Sequence, residues 1–276
     1  VVKVLIYEGE KFMLERINVV GNNVTNDDVI RSEMLVDEGD PYSAILINKS
    51  INNLRAKRLF GKIDQKITEG SLPDLKVLEI SVEEQATGEI SAGAGIGTNG
   101  TSFQFAVTEN NWLGKGIGVE TSLNISAENL TGGISINNPN YNYSGNSLFG
   151  TFSVSQSDYK DTSGYKSNKT GISGGSKFEQ YENIYFAPSL AFMYEDISIT
   201  SKASSSVKKM GGTFTNLDFT YSITNDRRDQ AYQTNEGYYT KFVQSIPLYI
   251  DNSSFLNGVD INKYHTFSDD IKGIAK

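Results

Sequence analysis

Ile117-Gly118-Val119-Glu120-Thr121-Ser122-Leu123-Asn124-Ile125 is the stretch that decides the fold. Successive side chains of an extended chain point to opposite faces, so Ile117, Val119, Thr121, Leu123 and Ile125 share one face. Gly118, Glu120, Ser122 and Asn124 share the other, which makes one face oily and the other wet. The pattern recurs on either side. Phe103, Phe105 and Val107 oppose Gln104 and Thr108, and Leu217, Phe219, Tyr221 and Ile223 oppose Asn216, Asp218, Thr220 and Ser222. Ile184, Phe186, Leu190, Phe192 and Tyr194 repeat it on a longer strand. About ten strands are predicted, near 88–98, 101–109, 116–127, 130–137, 147–157, 169–180, 183–198, 213–224, 237–247 and 258–268.

Alternation alone does not say what the oily face meets. In a soluble sandwich two such faces meet in a core, whereas in a membrane barrel they meet hydrocarbon and the polar face lines the lumen. Strands of about ten residues or more suit a tilted membrane crossing. Compact turns alternating with longer polar loops, here Asp158–Asn168 and Ser201–Lys209, suit the two sides of a barrel. Aromatic residues near predicted strand ends, Trp112, Tyr141, Tyr143, Tyr181, Tyr185, Tyr238 and Tyr239, suit interfacial girdles. A soluble all-β domain is the competing reading. The longest apolar run, Leu190–Tyr194, is far short of the roughly 18 residues of a membrane helix, a shortfall without bearing on strands.

Composition narrows the function. The chain of 276 residues carries 25 basic and 33 acidic side chains, a net charge of −8, which offers no basic face to nucleic acid. With no Cys and a single His265, it has neither thiolate chemistry nor a multi-histidine zinc centre. Residues 1–87 hold 26 charged side chains and the following 189 residues hold 32, so charge density falls by almost half after Thr87. Two regions with different solvents are expected. The chain opens on Val1 and closes on Lys276 without an initiator Met or an export signal, which reads as a fragment.

The first region predicts a small α+β domain. Phe12–Val20 reads as a strand followed by the turn Gly21-Asn22-Asn23. Thr25 is the expected N-cap of a short helix with Asp27 and Asp28 in its first turn. Ser43 is the expected cap of a second helix, running to about Leu59 with Ile47, Ile51 and Leu54 on one side. Lys62–Thr68 and Leu75–Val82 then pair as strands. The order strand, helix, helix, strand, strand places both helices on one face of a small sheet and leaves an edge free.

Phe12-to-Asn22, the helix start Thr25–Arg31 and Leu59-Phe60-Gly61-Lys62-Ile63 resemble a POTRA domain, the polypeptide-transport-associated module, over residues 10–85, and residues 1–9 resemble the last strand of a preceding copy. The second region, 88–276, resembles the barrel of BamA-type outer-membrane assembly factors. Three stretches carry this likeness: Asn111, Trp112, Leu113, Gly114 and Gly116 within 109–116; Asn138 and Pro139 within 138–141; Asp226, Arg228 and Asp229 within 226–229. All three are periplasmic turns in that family. The resemblance implies an α+β POTRA domain (βααββ) followed by about ten of sixteen antiparallel transmembrane strands, in a bacterial outer membrane with the POTRA domain in the periplasm. It further implies a function in inserting other barrels, without enzymatic activity or a cofactor. The implied partners are outer-membrane lipid, nascent barrel clients and accessory lipoproteins, with no nucleic acid. A two-partner secretion translocator and a passive channel are the alternatives.

In that family the first barrel strand forms a weak seam that opens and pairs with a client strand. The resemblance therefore assigns Glu89, Ile90, Ser91, Ala92, Gly93, Ala94, Gly95, Ile96, Gly97 and Thr98 to a lateral gate. Phe103, Phe105, Val107, Ile117, Val119, Leu123, Ile125, Leu217, Phe219 and Tyr221 are the expected lipid-facing residues. Gly93, Gly95 and Gly97 share one face, and the competing explanation is that they only relieve crowding in the lumen. Gly95-Ile96-Gly97-Thr98-Asn99-Gly100 satisfies the dinucleotide pattern G-x-G-x-x-G, but an alternating strand follows where a helix is needed. Asp226-Arg227-Arg228-Asp229 reads as a solvated turn, and Glu120 and Asp218 as lumen charges on distant strands. His265 reads as a strand-surface side chain without partners for chemistry.

Overall fold

A computed structural model of the chain describes residues 11–97, 100–229, 234–249, 254–268 and 271–275. Residues 1–9 and Thr98, named above, lie outside the described residues. The chain divides into two compact units: one runs to residue 89 and takes in 109–117, the other contains 90–108 and everything from 118.

The first unit has the predicted element order: β1 (Met13–Val20), α1 (Asp27–Arg31), α2 (Ala44–Ala56), β2 (Phe60–Glu69) and β3 (Leu75–Glu84). Its sheet runs β1-β3-β2, with β1 parallel and β2 antiparallel to the central β3. The core follows from period-two burial on β3, where Leu78, Ile80 and Val82 are buried, meeting period-3.6 burial of Ile47, Ile51 and Leu54 on α2. Ser50 is fully buried on the same helix face. Its hydroxyl donates to the Leu46 carbonyl and accepts from the Leu35 N–H, each at 2.8 Å, so no polar group is stranded. Ser43 caps α2 as expected, accepting from the Leu46 N–H. The helix stops at Ala56, three residues before the predicted end, where Arg58 adopts a positive φ of 56°.

Thr25 is not the N-cap of α1. Asn26 occupies that position, with no side-chain cap. The Asn26 N–H donates to the Gly114 carbonyl at 2.8 Å, and its own carbonyl accepts from the Val29 N–H at 3.0 Å. Thr25, 2 % exposed, accepts at Oγ1 from Asn111 Nδ2 at 2.8 Å, and Asn111 is itself buried. Asn111 Oδ1 accepts from the Gly116 N–H at 2.8 Å, which closes the turn on itself. Gly114 sits at φ +70°, and a Cβ there would lie 2.0 Å from the Val24 carbonyl oxygen, so only glycine lets the two backbones approach. Gly21, at φ +93°, is fixed in the same way by the Val82 carbonyl at 2.0 Å.

Glu84 holds the other side of this loop, accepting from the Val24 N–H at 3.0 Å and the Thr25 N–H at 2.6 Å. Burial opposes its charge, but the hydrogen bonds from Thr25, Val24 and Asn23 outweigh burial and hold its pKa below the ordinary carboxylate value. The Ile17 N–H does the same for Glu38, and the Ser71 N–H for Glu15.

The second unit is one 11-stranded sheet in strict sequence order. Its strands are β4 (Gly88–Gly97), β5 (Gly100–Trp112), β6 (Ile117–Ser126), β7 (Asn129–Tyr141), β8 (Asn146–Tyr159), β9 (Tyr165–Tyr181), β10 (Ile184–Ile199), β11 (Gly212–Arg228), β12 (Gly237–Tyr249), β13 (Leu256–Ser268) and β14 (Ile271–Ala275). All ten predicted strands are present, several longer than expected. β14 went unpredicted because five residues containing Gly273 show no alternation. The predicted long loop Asp158–Asn168 shrinks to 160–164, because β8 and β9 pair out to Tyr159↔Tyr165. The loop at 200–211 is long and contains the single turn α3 (Ser205–Lys208).

Two expectations follow. Leu78→Ala empties a fully buried site and is expected to destabilise the first unit by about 2–5 kcal/mol, whereas Ile67→Ala, at a 36 % exposed position, costs far less; denaturant unfolding compares them. Because Glu15, Glu38 and Glu84 are depressed in the folded state, their stabilisation is present above the ordinary carboxylate pKa and is lost as pH falls through the folded values. Amide exchange at Val24 and Thr25, corrected for intrinsic rate, should therefore rise on acidification below about pH 4.5 and be raised already at neutral pH in Glu84→Ala.

Candidate functional site

The register of the large sheet sorts its side chains into two faces. Thr121 stands opposite Ile134, Ile134 opposite Phe152, Phe152 opposite Ile172, Ile172 opposite Phe192, and Phe192 opposite Leu217. One row of pairing thus carries large apolar side chains across five consecutive strands. The adjacent row, on the opposite face, reads Glu120, Ser135, Thr151, Ser173, Ala191 and Asp218. Phe103, Phe105, Val107, Leu123 and Ile125 are exposed, and Ile117, Val119, Leu217, Phe219 and Tyr221 half-buried. Phe178, Phe186, Tyr221 and Phe242 form a chain of ring contacts at centroid separations of 5.7–6.1 Å on the apolar face. Glu120 and Asp218 lie five strands apart, about 24 Å at the usual strand spacing, too far for paired-carboxylate chemistry.

Among the described residues β4 is a terminal strand of this sheet, bonded to β5. All ten of its residues are exposed; Ile90 and Ile96 are 82 % and 89 % exposed. A Cβ built on Gly93 or Gly97 would meet nothing within 4 Å, and one on Gly95 would meet only Ser102 Oγ, at 3.2 Å. None of these three glycines has a positive φ. Among the described residues, no atom crowds a Cβ at 93 or 97 and no positive φ requires glycine there. Thr98 and Asn99 lie outside the described residues, and strand β5 follows at Gly100, so no helix completes the dinucleotide pattern.

The residue before β4 is held within the first unit. Thr87 Oγ1 donates to Glu109, whose carboxylate also accepts the Asn111 N–H at 2.7 Å, and the Thr87 carbonyl accepts from the Asn110 N–H at 3.2 Å. Of this group, sequence reasoning had singled out Asn111, Trp112, Leu113, Gly114 and Gly116, but had missed Thr87 and Glu84 and misassigned Thr25. These three are polar residues of ordinary local context whose partners lie 22, 60 and 86 residues away.

Two of the predicted turns are strand instead. β7 continues through Asn138 and Pro139 to Tyr141, with an irregularity after Asn138, and the reversal falls at 142–145. Asp226–Arg228 belong to β11 and pair with Gly237–Tyr239. Far from a solvated turn, Arg228 binds Asp226 at 2.6 Å, lies 5.0 Å from the centroid of Tyr239, and both carboxylate and guanidinium are about three-quarters buried or more. Only Asp229 begins the connection, accepting from the Asn235 and Glu236 N–H groups. His265 packs edge-on to Phe267 at 4.9 Å. Among the described residues no group of three or more His, Cys, Asp or Glu side chains converges to hold a metal.

Comparison with known proteins agrees with this architecture. Residues 12–85 match the POTRA model, described as surface antigen variable number repeat, and residues 87–275 match the Omp85 superfamily domain. The outer membrane protein assembly factor BamA of Nitratidesulfovibrio vulgaris is 29 % identical over 161 residues, covering 57 % of this chain and 20 % of the relative. The chain thus spans about a fifth of that relative's length. The crystal structure of BamA from Haemophilus ducreyi lacking POTRA domains 1–3 superposes with a TM-score of 0.74 at 20 % identity, covering 95 % of this chain and 53 % of the other. CdiB from Escherichia coli gives a TM-score of 0.58 at 12 % identity, covering 96 % and 53 %. With a family model matching 189 of its 276 residues, directly after a POTRA domain, the chain belongs to the Omp85 superfamily.

Proposed function

We propose that this chain is part of a factor that folds and inserts β-barrel proteins into a bacterial outer membrane, with β4 as the edge on which client strands are templated. The observation that carries this reading is the match of residues 87–275 to the Omp85 superfamily domain directly after a POTRA domain, with β4 as the first strand of that region. A terminal strand presents unpaired N–H and C=O groups that bond any extended chain, because the ladder is made of backbone and tolerates many client sequences. Glycines that no packing demands keep this strand weakly held, since each costs conformational entropy and contributes no side-chain contact. Templating needs no cofactor and no enzymatic step.

In this reading the apolar rows of β6–β11 face lipid and the row from Glu120 to Asp218 faces the lumen. The POTRA domain lies in the periplasm, where the outer edge of β2 offers clients or accessory lipoproteins a place to add a strand. A translocation barrel remains the second-ranked reading, since the likeness to CdiB is the weaker of the two structural matches.

Spin labels scanned over 117–125 in liposomes test the membrane face: oxygen accessibility is expected to peak at Val119 and Leu123 and fall at Glu120 and Ser122. Equal values at all four positions would overturn the lipid assignment. In the full-length protein, single cysteines at 90, 92, 94 and 96 are expected to cross-link to a client stalled during insertion. Absence of any cross-link along β4, with capture elsewhere, would remove β4 from the templating role.

A further inference from the structure

On the apolar face of β10–β13 the side chains change character from row to row. Phe186, Ile223, Phe242 and Val259 stand in one row of pairing, and all are apolar. The next row of the same face reads Ile184, Asn225, Thr240 and Ile261, and the one after it Arg227, Tyr238 and Lys263. Between Ile223 and Arg227, hydrocarbon thus gives way to uncharged polar groups and then to two cations with an aromatic ring between them. A wall that leaves acyl chains and enters headgroups has this profile: long basic side chains carry their charge to the polar layer, and tyrosine sits at the boundary. The change falls at the end of the sheet where β4 begins and where 113–116, 142–145, 182–183 and 229–236 reverse the chain. With the POTRA domain in the periplasm, this is the periplasmic end.

The two cations stand out in a chain of net charge −8. Arg227, Tyr238 and Lys263 are exposed, and among the described residues neither Arg227 nor Lys263 makes an ion pair. Arg228, on the other face, is by contrast held by Asp226 and lies over Tyr239. Asp229, the next residue in phase with Arg227, accepts the Asn235 and Glu236 N–H groups of its own connection. At the far end of the apolar face, Lys166 is 3.7 Å from Asp158 directly opposite it, so that pair adds no net charge. Tyr238 is one strand spacing, about 4.8 Å, from each cation. Two long side chains can therefore close over the ring from both sides on a group the size of a phosphate.

We propose that Arg227, Tyr238 and Lys263 bind the phosphate of an anionic phospholipid in the periplasmic leaflet. Arg227 and Lys263 share its charge, the Tyr238 hydroxyl donates to a phosphate oxygen, and the acyl chains lie along Ile223, Phe242 and Val259. Two cations without a free carboxylate select a headgroup of net negative charge over a zwitterionic one, whose amine would meet the same cations. The site rests on the lipid-facing assignment of this face and adds to it a place and a headgroup class.

The test uses the full-length protein in phosphatidylcholine vesicles containing a minor fraction of phosphatidylglycerol. Either lipid carries a photoactivatable group beside its phosphate, and adducts are mapped by peptide. Adducts around 227, 238 and 263 are expected to favour phosphatidylglycerol by about tenfold or more, because each cation beside an anionic lipid is worth about fivefold. The preference should vanish in the double variant Arg227→Gln, Lys263→Gln, and survive in Arg227→Lys and in Lys166→Gln, whose cation is already paired. Should the double variant not fold, the two single variants decide, each expected to lose about fivefold. Equal labelling by the two lipids, or a preference that outlasts removal of both cations, would overturn the proposal. A preference abolished by inorganic phosphate at constant ionic strength would overturn it too, assigning the cations to a free anion. A spin label on Phe242→Cys separates these results from failure of the membrane reading. Low oxygen accessibility there would remove acyl chains from this face, and the proposal with them; high accessibility without a headgroup preference overturns the proposal alone.

Discussion

Register is the constraint on which the large sheet depends. The side-chain period of a strand is two, so a slip of one residue anywhere between β6 and β11 would transfer a whole apolar row to the polar face. The pairing from Thr121 through Ile134, Phe152, Ile172 and Phe192 to Leu217 holds only if five neighbouring registers agree at once. The apolar rows supply the penalty for disagreement, because a misplaced Phe or Ile would exchange hydrocarbon for the wet side, at roughly 1.5–3 kcal/mol per side chain.

The smaller unit obeys a different rule. Its core closes on itself through Leu78, Ile80 and α2, and Thr25 and Asn26 bond the turn at 109–116 of the same unit. Asn111 is central there: one side-chain amide fastens its own turn through Gly116 and the residue before α1's cap through Thr25.

Much of this was legible in the sequence. Period-two alternation located ten of the eleven strands, and the order of the small domain followed from two helical periods bounded by Gly21 and by Gly39-Asp40-Pro41. What escaped was non-local. Thr25 has the composition of a cap and the partner of a clamp, and only the placement of Asn111, 86 residues on, tells them apart. The charged string at 226–229 looks like a surface turn because adjacent opposite charges ordinarily face water. On a strand, however, positions two apart share a face, so Asp226 and Arg228 meet and β11 runs on beneath them. β14 left no signal because a short strand next to a long one takes its pairing from its neighbour.

The strand order has a kinetic corollary. Every ladder in the large sheet joins sequence neighbours, in contrast to the parallel β1–β3 pair, which must bridge some sixty residues. Folding rates fall as pairing becomes less local, and the entropic cost of closing a loop rises only slowly with its length. This meander can grow by accretion, one hairpin at a time, with even the 200–211 connection adding a minor delay. Each newly added strand is, until the next arrives, a temporary margin whose backbone groups await a partner.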